Sequence, residues 1–355
     1  MKRIVFTGGG TAGHVTPNLA ILEQLDRKEW EVHYVGTADG MERGLIEDIP
    51  GIAYHAVSSG KLRRYFDWRN FTDPFRVLAG AGQAHALMRK IRPAVVFSKG
   101  GFVTVPVVAG AWLARVPMIL HESDITPGLA NKLAMPFASM ICTSFPETAE
   151  HIRNKKVLHT GSPVRRSLFE GDRQKGLALS NLTGKKPVLL IMGGSTGAQA
   201  VNEAVDAALD EILPYFDIIH IRGRENLRPH LNKKGYKQFD YVTDDLKHLM
   251  AASDIVLSRA GANAIFEFLA LHRPMLLIPY PLGASRGDQI LNAQSFQKQG
   301  YAEMLMQEDV TTERLVTNLR QLYRNRRGYI ANMRKAGDRD TVGMIVEAIE
   351  GIARN

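Results

Sequence analysis

Two glycine-rich turns are the first places in this sequence where chemistry could occur. Residues 6–17 read FTGGGTAGHVTP and residues 188–199 read VLLIMGGSTGAQ, so each turn follows an apolar run and precedes a helical pattern. Glycine lets the backbone turn tightly and lets a phosphate approach, and the N–H groups that begin the next helix attract anions. We therefore expect Gly8–Gly13 and Gly193–Gly197 to hold anionic groups, although each could be a tight turn alone.

His14 follows the first turn, where a helical pattern begins. An imidazole titrates near neutral pH and can take a proton from a hydroxyl, but a lone histidine is more often structural. Gly8, Gly10 and Gly13 match the GxGxxG spacing of dinucleotide-binding proteins. No acidic residue follows the second apolar run at 35–37, which disfavours a dehydrogenase.

The C-terminal half carries a second set of polar residues. Glu267 lies in RAGANAIFEFLALHRP among apolar neighbours, so we expect a buried helix whose carboxylate needs a partner such as the two hydroxyls of a ribose. Asp288, Gln289 and Asn292 fall within one helical turn after Gly287 and suit sugar hydroxyls. A capped, solvated helix start is the alternative.

The sequence supports a metal site or a nucleic-acid site less well than it supports the anion and sugar sites. Asp338 and Asp340 form a DxD pattern, but they follow no strand and lie in a charged run, so a surface position is favoured. We expect neither a metal nor a cofactor. Residues 61–76, KLRRYFDWRNFTDPFR, hold five basic and five aromatic side chains. Such a stretch could contact nucleic acid or an anionic bilayer, or could pack a helix.

The elements that must position these residues alternate between short apolar runs and helical patterns. Runs that are apolar at every position are typical of strands buried on both faces, so they predict an α/β protein with parallel sheets. The predicted strands lie at 4–6, 32–35, 94–97, 118–120, 188–191, 218–221, 255–257 and 275–279. The apolar run 103–120 contains Pro106, Arg115 and Pro117, so it predicts a buried helix and then a strand, not a transmembrane span.

The chain also repeats itself. VVFSKGG at 95–101 resembles IVLSRAG at 255–261, and with the two glycine turns this makes two loop types in the same order, about 160 to 185 residues apart. The repetition predicts two doubly wound halves that join near Thr160–Gln174. We expect ligands in a cleft between them, at the carboxyl ends of the strands.

Composition fits this organisation. The 355 residues suit two domains, and the net charge of +9 favours anionic partners such as nucleotides or phospholipids. Cys142 is the only cysteine, so no internal disulfide can form and a reducing cytoplasm is expected. Any membrane contact should be peripheral.

Taken together, seven segments resemble the MurG family of GT-B glycosyltransferases, peripheral membrane enzymes that add GlcNAc to a lipid-linked muramyl pentapeptide in peptidoglycan synthesis. In chain order they are GGGTAGHVTP, SKGGFVTVP, HESDITPGLANK, TGSPVR, IMGGSTGA, SRAGANAIFE and GDQILNA. The resemblance implies two Rossmann-like doubly wound parallel-sheet domains facing a central cleft. Residues 1–162 would face the acceptor and the membrane, with a C-terminal helix of about 337–355 packing back on them, and residues 163–336 would bind UDP-GlcNAc.

The resemblance also implies a reaction and its partners. The enzyme would transfer GlcNAc with inversion from UDP-GlcNAc to the 4-hydroxyl of lipid I, forming lipid II. It would sit in the cytoplasm on the anionic inner face of the cell membrane and bind no nucleic acid. His14 would be the base and Asp124 a helper, and the acceptor would contact Gly9, Gly10, Gly100 and Gly101. The donor residues would be Thr11, Ala12, Gly13, Arg165, Gly194, Ser195, Thr243, Glu267, Asp288, Gln289 and Asn292.

Several positions depart from the family pattern. Ala12 stands where Gly is usual, Asp124 where Asn is usual and Asp288 where His or Gln is usual; Thr196 replaces a common Gln and Phe102 a common Tyr. The two aspartates add negative charge near the sugar site. Two other functions remain open: a UDP-GlcNAc 2-epimerase, which would leave residues 61–76 unexplained, and a nucleotide-sugar-binding scaffold without turnover.

Overall fold

The computed structural model describes residues 1–60, 69–194, 197–283, 285–336 and 339–354, with backbone only for 69–72. The thirteen strands in these ranges are β1 Lys2–Thr7, β2 Trp30–Gly36, β3 Ile52–Ala56, β4 Val95–Ser98, β5 Met118–Glu122, β6 Met140–Thr143, β7 Val157–His159, β8 Val188–Met192, β9 Asp217–Ile221, β10 Tyr236–Phe239, β11 Ile255–Ser258, β12 Met275–Leu277 and β13 Ala302–Met304. The α-helices are α1 Thr16–Gln24, α2 Met41–Ile46, α3 Arg69–Ile91, α4 Thr104–Leu113, α5 Leu129–Ala134, α6 Arg173–Leu179, α7 Gln199–Ile212, α8 Leu246–Ala252, α9 Ala262–Ala270, α10 Asp288–Lys298, α11 Thr312–Lys335 and α12 Thr341–Ala353.

Two parallel sheets organise these elements. The first has the order β3-β2-β1-β4-β5-β6-β7 and the second has the order β10-β9-β8-β11-β12-β13. In both, the chain starts in the middle, moves outward to one edge and then crosses back to fill the other side. The predicted α/β class with two similar doubly wound halves is confirmed.

Side-chain alternation explains why both faces of each sheet are covered. Ile4 and Phe6 belong to one buried cluster of the first sheet, whereas Val5 between them belongs to the cluster on the other face. Successive residues of a strand point to opposite faces, so a strand that is apolar at every position needs helices on both sides.

The chain divides into two compact units. The first comprises residues 1–165 and 340–355, and the second comprises residues 166–339. The last helix, α12, buries Val342, Ile345 and Ile349 in the core of the first unit. Asp340 caps this helix, because its side chain accepts a hydrogen bond from Gly343 N at 2.8 Å.

The sequence located the central strands but not all of the outer ones. The prediction for 103–120 is confirmed as a helix and a strand, α4 and β5. That helix is not buried throughout, since Trp112 and Leu113 are 53% and 54% exposed. Residues 61–68 of the basic aromatic stretch lie outside the described residues, and α3 begins at Arg69. Within the described ranges, no helix is long and apolar enough to cross a bilayer.

Candidate active site

The glycines of the first turn are required by packing. Gly10 has a φ of +86°, and a Cβ there would collide with the ring of Phe102. A Cβ on Gly9 would lie 2.5 Å from the carboxyl carbon of Glu42. Neither glycine could therefore be replaced without moving its neighbours.

The buried carboxylate of Glu42 holds this turn by hydrogen bonds. It is fully buried, and its two oxygens accept hydrogen bonds from Gly10 N at 3.1 Å, Thr37 N at 2.9 Å and Thr37 Oγ1 at 2.7 Å. The N–H of Gly10 thus donates to a carboxylate in this structure and is not available to bind a phosphate. Anion binding at this turn stays a prediction, and it would have to use N–H groups other than that of Gly10.

The second glycine turn of the first unit lies against the first. Gly100 and Gly101 have φ values of +94° and +90°, and a Cβ on Gly101 would collide with the carbonyl oxygen of Gly9 and lie 3.1 Å from His14 Cδ2. The structure therefore brings together three features of the first unit that the sequence indicated: the turn Gly8–Gly13, the turn at Gly100 and Gly101, and His14.

His14 ends a short 3-10 turn, Ala12–His14, instead of lying in α1, which begins at Thr16. Its Nδ1 lies 3.3 Å from the carbonyl oxygen of Lys99. A carbonyl oxygen can only accept, so this contact requires the proton on Nδ1 and, in the neutral ring, leaves the lone pair on Nε2. The neighbouring Thr11 is exposed and Gly13 is half-buried.

Asp124 lies in a turn that a buried carboxylate organises. Oε1 of Glu122 accepts from Ser123 N at 2.8 Å and Asp124 N at 3.0 Å, and Oε2 accepts from Gly128 N at 3.0 Å and Asn131 Nδ2 at 2.8 Å. Glu122 is 5% exposed. The sequence reasoning selected Asp124 but missed Glu122, whose role depends on contacts that the sequence does not reveal.

In the second unit, the glycine turn after β8 leaves room for a ligand. Gly197 N donates to Gly194 O at 3.0 Å, and Gly194 is exposed with a φ of +96°. Among the described residues, no atom lies within 4 Å of where a Cβ on Gly194 would stand. The N-cap residue of the following helix, α7, is Ala198, whose side chain cannot cap the first N–H groups. An anion would be well placed there, while Ser195 and Thr196 lie outside the described residues.

The starts of α9 and α10 are tied together. Asn292 is fully buried, and its Nδ2 donates to Ala260 O at 3.2 Å, in the loop before α9. Gln289 Oε1 accepts from Tyr280 N at 3.4 Å. The amide of Asn292 therefore links α10 to the loop before α9, and its predicted contact with a sugar stays a prediction.

Two other predicted donor residues, Glu267 and Asp288, differ in environment. Glu267 is half-buried. The helix α9 buries Ala262, Ile265 and Phe268 and exposes none of its residues, so the predicted buried helix is fully buried along one face and half-buried along the others. Asp288 accepts from Arg286 at 3.4 Å and its side chain is 18% exposed.

Thr243 and Arg165 lie at loop positions. Thr243 is exposed, and its carbonyl oxygen accepts from Leu246 N at 3.2 Å. Arg165 is the last residue of the first unit's main segment, and its buried Nε has no hydrogen-bond partner within the described part of the chain. In those same ranges, no group of three or more His, Cys, Asp or Glu residues could hold a metal ion.

Comparison with known proteins identifies the family. The model of the glycosyltransferase family 28 N-terminal domain matches residues 4–143, and the model of the family's C-terminal domain matches residues 188–346. The chain belongs to glycosyltransferase family 28. The N-terminal match contains both glycine turns of the first unit and His14, and the C-terminal match contains Gly194, Glu267 and α10.

Relatives within family 28 match the whole chain. A protein of Geobacillus thermodenitrificans is 54% identical over 354 residues, covering 99% of both chains, and is named UDP-N-acetylglucosamine--N-acetylmuramyl-(pentapeptide) pyrophosphoryl-undecaprenol N-acetylglucosamine transferase. A Bacillus cereus protein carrying the same name with the number 2 is 52% identical over 98% of this chain and 99% of its own.

A solved structure of the family has the same fold. The crystal structure of Acinetobacter baumannii MurG superposes with a TM-score of 0.77 at 24% identity, covering 99% of this chain and 100% of that one. Together with the two parallel sheets, this confirms the predicted GT-B class of two Rossmann-like domains.

Proposed function

We propose that the chain is an inverting hexosyltransferase that moves GlcNAc from UDP-GlcNAc to the 4-hydroxyl of the muramyl sugar of lipid I, forming lipid II. The observation that carries this proposal is the 54% identity, over nearly the full length of both chains, to a relative named for that transfer. The roles proposed below for individual residues agree with their positions in the two units.

The donor would bind to the second unit. Its diphosphate would lie at the open turn of Gly194, where the first N–H groups of α7 would offer hydrogen bonds and positive potential. The half-buried carboxylate of Glu267 would accept from the ribose hydroxyls, and Thr243 would meet the uracil through its backbone. The amide of Gln289 and the carboxylate of Asp288 would bind hydroxyls of GlcNAc. Asn292 would hold the loop before α9 against α10.

The acceptor would bind to the first unit. Its 4-hydroxyl oxygen attacks C1 of GlcNAc, the bond from C1 to the UDP oxygen breaks, and the hydroxyl proton passes to His14 Nε2, with Asp124 assisting. The lone pair on Nε2, which follows from the contact between Nδ1 and Lys99 O, supports this role. Negative charge that develops on UDP would be stabilised by α7 and by Arg165.

The first unit also carries a surface suited to the inner face of the cell membrane. The end of α4, helix α5 and the 3-10 turn Met135–Phe137 after it expose five apolar side chains, which we call the α4–α5 apolar patch: Trp112, Leu113, Leu129, Leu133 and Phe137. The rings of Trp112 and Phe137 lie 5.1 Å apart. Exposed Arg115 and Lys132 flank it. Apolar side chains ringed by cations are typical of peripheral binding to anionic lipid.

Release of UDP tests the proposed function. The purified protein, UDP-GlcNAc and a short-chain lipid I analogue should release UDP at a steady rate, and omission of the analogue should abolish the release. A 2-epimerase would instead form N-acetylmannosamine from UDP-GlcNAc with no lipid present. A scaffold would bind UDP-GlcNAc without releasing UDP under either condition.

A further inference from the structure

Lys99 is a buried cation that the proposed reaction leaves without a role. It follows β4 directly, precedes the glycine turn at Gly100 and Gly101, and is 1% exposed. Lysine is almost never fully buried unless its charge is paired, because removing an ammonium group from water is costly. Its partners therefore indicate what it does.

The side chain of Lys99 contacts the turn that carries Asp124. Nζ donates a hydrogen bond to Ser123 Oγ, and the carboxylates of Glu122 and Asp124 both favour the charged form of the ammonium. Glu122 binds the backbone N–H groups of the same turn. The Lys99 ammonium group thus bonds the side chain of Ser123, and the Glu122 carboxylate bonds the backbone of Ser123 and Asp124.

The backbone of Lys99 contacts the other candidate catalytic group. Its N–H donates to Thr7 O at 2.9 Å, which fixes the residue beside β1, and its carbonyl oxygen lies 3.3 Å from His14 Nδ1. The carbonyl sets the tautomer and the direction of the imidazole, while the ammonium of the same residue holds the turn of Asp124.

We propose that Lys99 is a positioning residue for the transfer reaction, which sets His14 through its carbonyl, holds the turn of Asp124 through its ammonium and places positive charge near the carboxylates of Glu122 and Asp124. The inference rests on the proposed function. Without that charge, the carboxylates of Glu122 and Asp124 would lose the attraction of the nearby ammonium group. Replacing the side chain by an apolar one would also remove the hydrogen bond to Ser123 Oγ.

The surroundings of Lys99 make its charge sensitive to pH. Burial lowers the pKa of Lys99 to about 8, and the opposing effects come from Glu122 and Asp124 in and after β5 and from Cys142 in β6. His121, also buried, stays neutral because burial and the neighbouring Lys99 lower its pKa. The ammonium should therefore lose its proton in mildly alkaline solution, and kcat should fall as it does.

Kinetics of four proteins test this inference: wild type, Lys99→Met, Asp124→Asn and the double variant. We expect Lys99→Met to lower kcat at pH 7.5 at least tenfold, to leave KM for UDP-GlcNAc within twofold and to abolish the alkaline fall in kcat near pH 8. Asp124→Asn should cost at least fivefold less in the Lys99→Met background than in wild type. Lys28→Met, an exposed lysine of the same unit, is the matched control.

Additive effects of the two substitutions, with the alkaline fall retained in Lys99→Met, would overturn the inference. If Lys99→Met does not fold, as judged by UDP binding and thermal unfolding, Ser123→Ala removes the acceptor of the ammonium and should shift the alkaline fall by at least half a pH unit. An unshifted fall would overturn the inference equally.

The two proposals can fail separately. A wild type that does not transfer GlcNAc refutes the proposed function. A wild type that transfers GlcNAc, with Lys99→Met as active as the control Lys28→Met, refutes only the inference.

Discussion

His14 is the residue on which the proposed chemistry depends most. Replacing it with alanine should lower kcat by about a hundredfold or more, since a positioned base contributes roughly that much, and should leave the Kd for UDP-GlcNAc unchanged. Steady-state kinetics and calorimetric titration of the donor measure the two quantities. His151→Ala, at an exposed position of the same unit, serves as the control. Turnover of His14→Ala within twofold of wild type would contradict the assignment.

Glu42 should matter to the acceptor side although it touches no substrate. Glu42→Gln replaces one acceptor oxygen by an NH₂ group that must face Gly10 N or Thr37, so a buried donor loses its partner at a cost of about 1–3 kcal/mol in the free energy of unfolding. Urea denaturation measures this loss, and KM for the lipid analogue should rise while KM for UDP-GlcNAc does not. Glu47→Gln, at an exposed site, should change neither; equal behaviour of the two variants would refute the anchoring role.

Lys99 should also give stability a distinctive pH dependence. Its folded pKa of about 8 lies below the ordinary value of 10.5, so between these values the unfolded chain binds more protons than the folded one. The free energy of unfolding of the wild type should therefore rise with pH across this window relative to Lys99→Met, by at most about 1.4 kcal/mol per pH unit. Urea denaturation at pH 7.5, 8.5 and 9.5 measures the difference. Parallel curves for the two proteins would contradict the depressed pKa.

The sequence marked the residues whose local pattern is unusual and missed those defined by distant contacts. His14 stands out because it follows a glycine turn. Glu42 and Lys99 do not stand out, because their importance comes from bonds to residues that are far along the chain. Asn292 was selected for its amide, but the sequence could not show that this amide bonds Ala260 O.

At the scale of elements, the exposed ends of α4 and α5 should govern membrane binding. Replacing Trp112 and Leu133 together by serine should weaken binding to vesicles containing anionic lipid by roughly tenfold or more, because each half-exposed side chain contributes about 1 kcal/mol when buried in lipid. Cosedimentation with the vesicles measures the effect. Leu227→Ser, which removes an exposed leucine of the second unit, should leave it unchanged. Equal binding by the double variant and wild type would rule out the α4–α5 apolar patch.

Central elements were predictable and peripheral ones were not. Strands such as β4 and β8 are buried on both faces, so all their residues except Ser98 at the end of β4 are apolar and the runs are visible in the sequence. The edge strands β3 and β10 are partly exposed and mix polar residues with apolar ones, so no such run marks them. The exposed end of α4 was also missed, because an apolar surface patch and a buried helix face look alike in sequence.

At the scale of the whole molecule, the recurrence of two loop types predicted the repeated architecture. Each loop type follows an equivalent strand: the glycine turns follow β1 and β8, and the SKGG and SRAG loops follow β4 and β11. A glycine turn at the end of a central strand is a local requirement of the doubly wound sheet, and so it leaves a signal in each half. The net charge of +9 agrees with a nucleotide diphosphate donor and an anionic lipid acceptor but did not identify them.

The structure of the product tests the central claim most directly. The protein should be incubated with ¹³C-labelled UDP-GlcNAc and a short-chain lipid I analogue, and the purified product analysed by NMR. We predict a new bond from C1 of GlcNAc in the β configuration to O4 of the muramyl sugar, with one UDP released for each bond. Label recovered as free GlcNAc or N-acetylmannosamine, or an α linkage, would contradict the account.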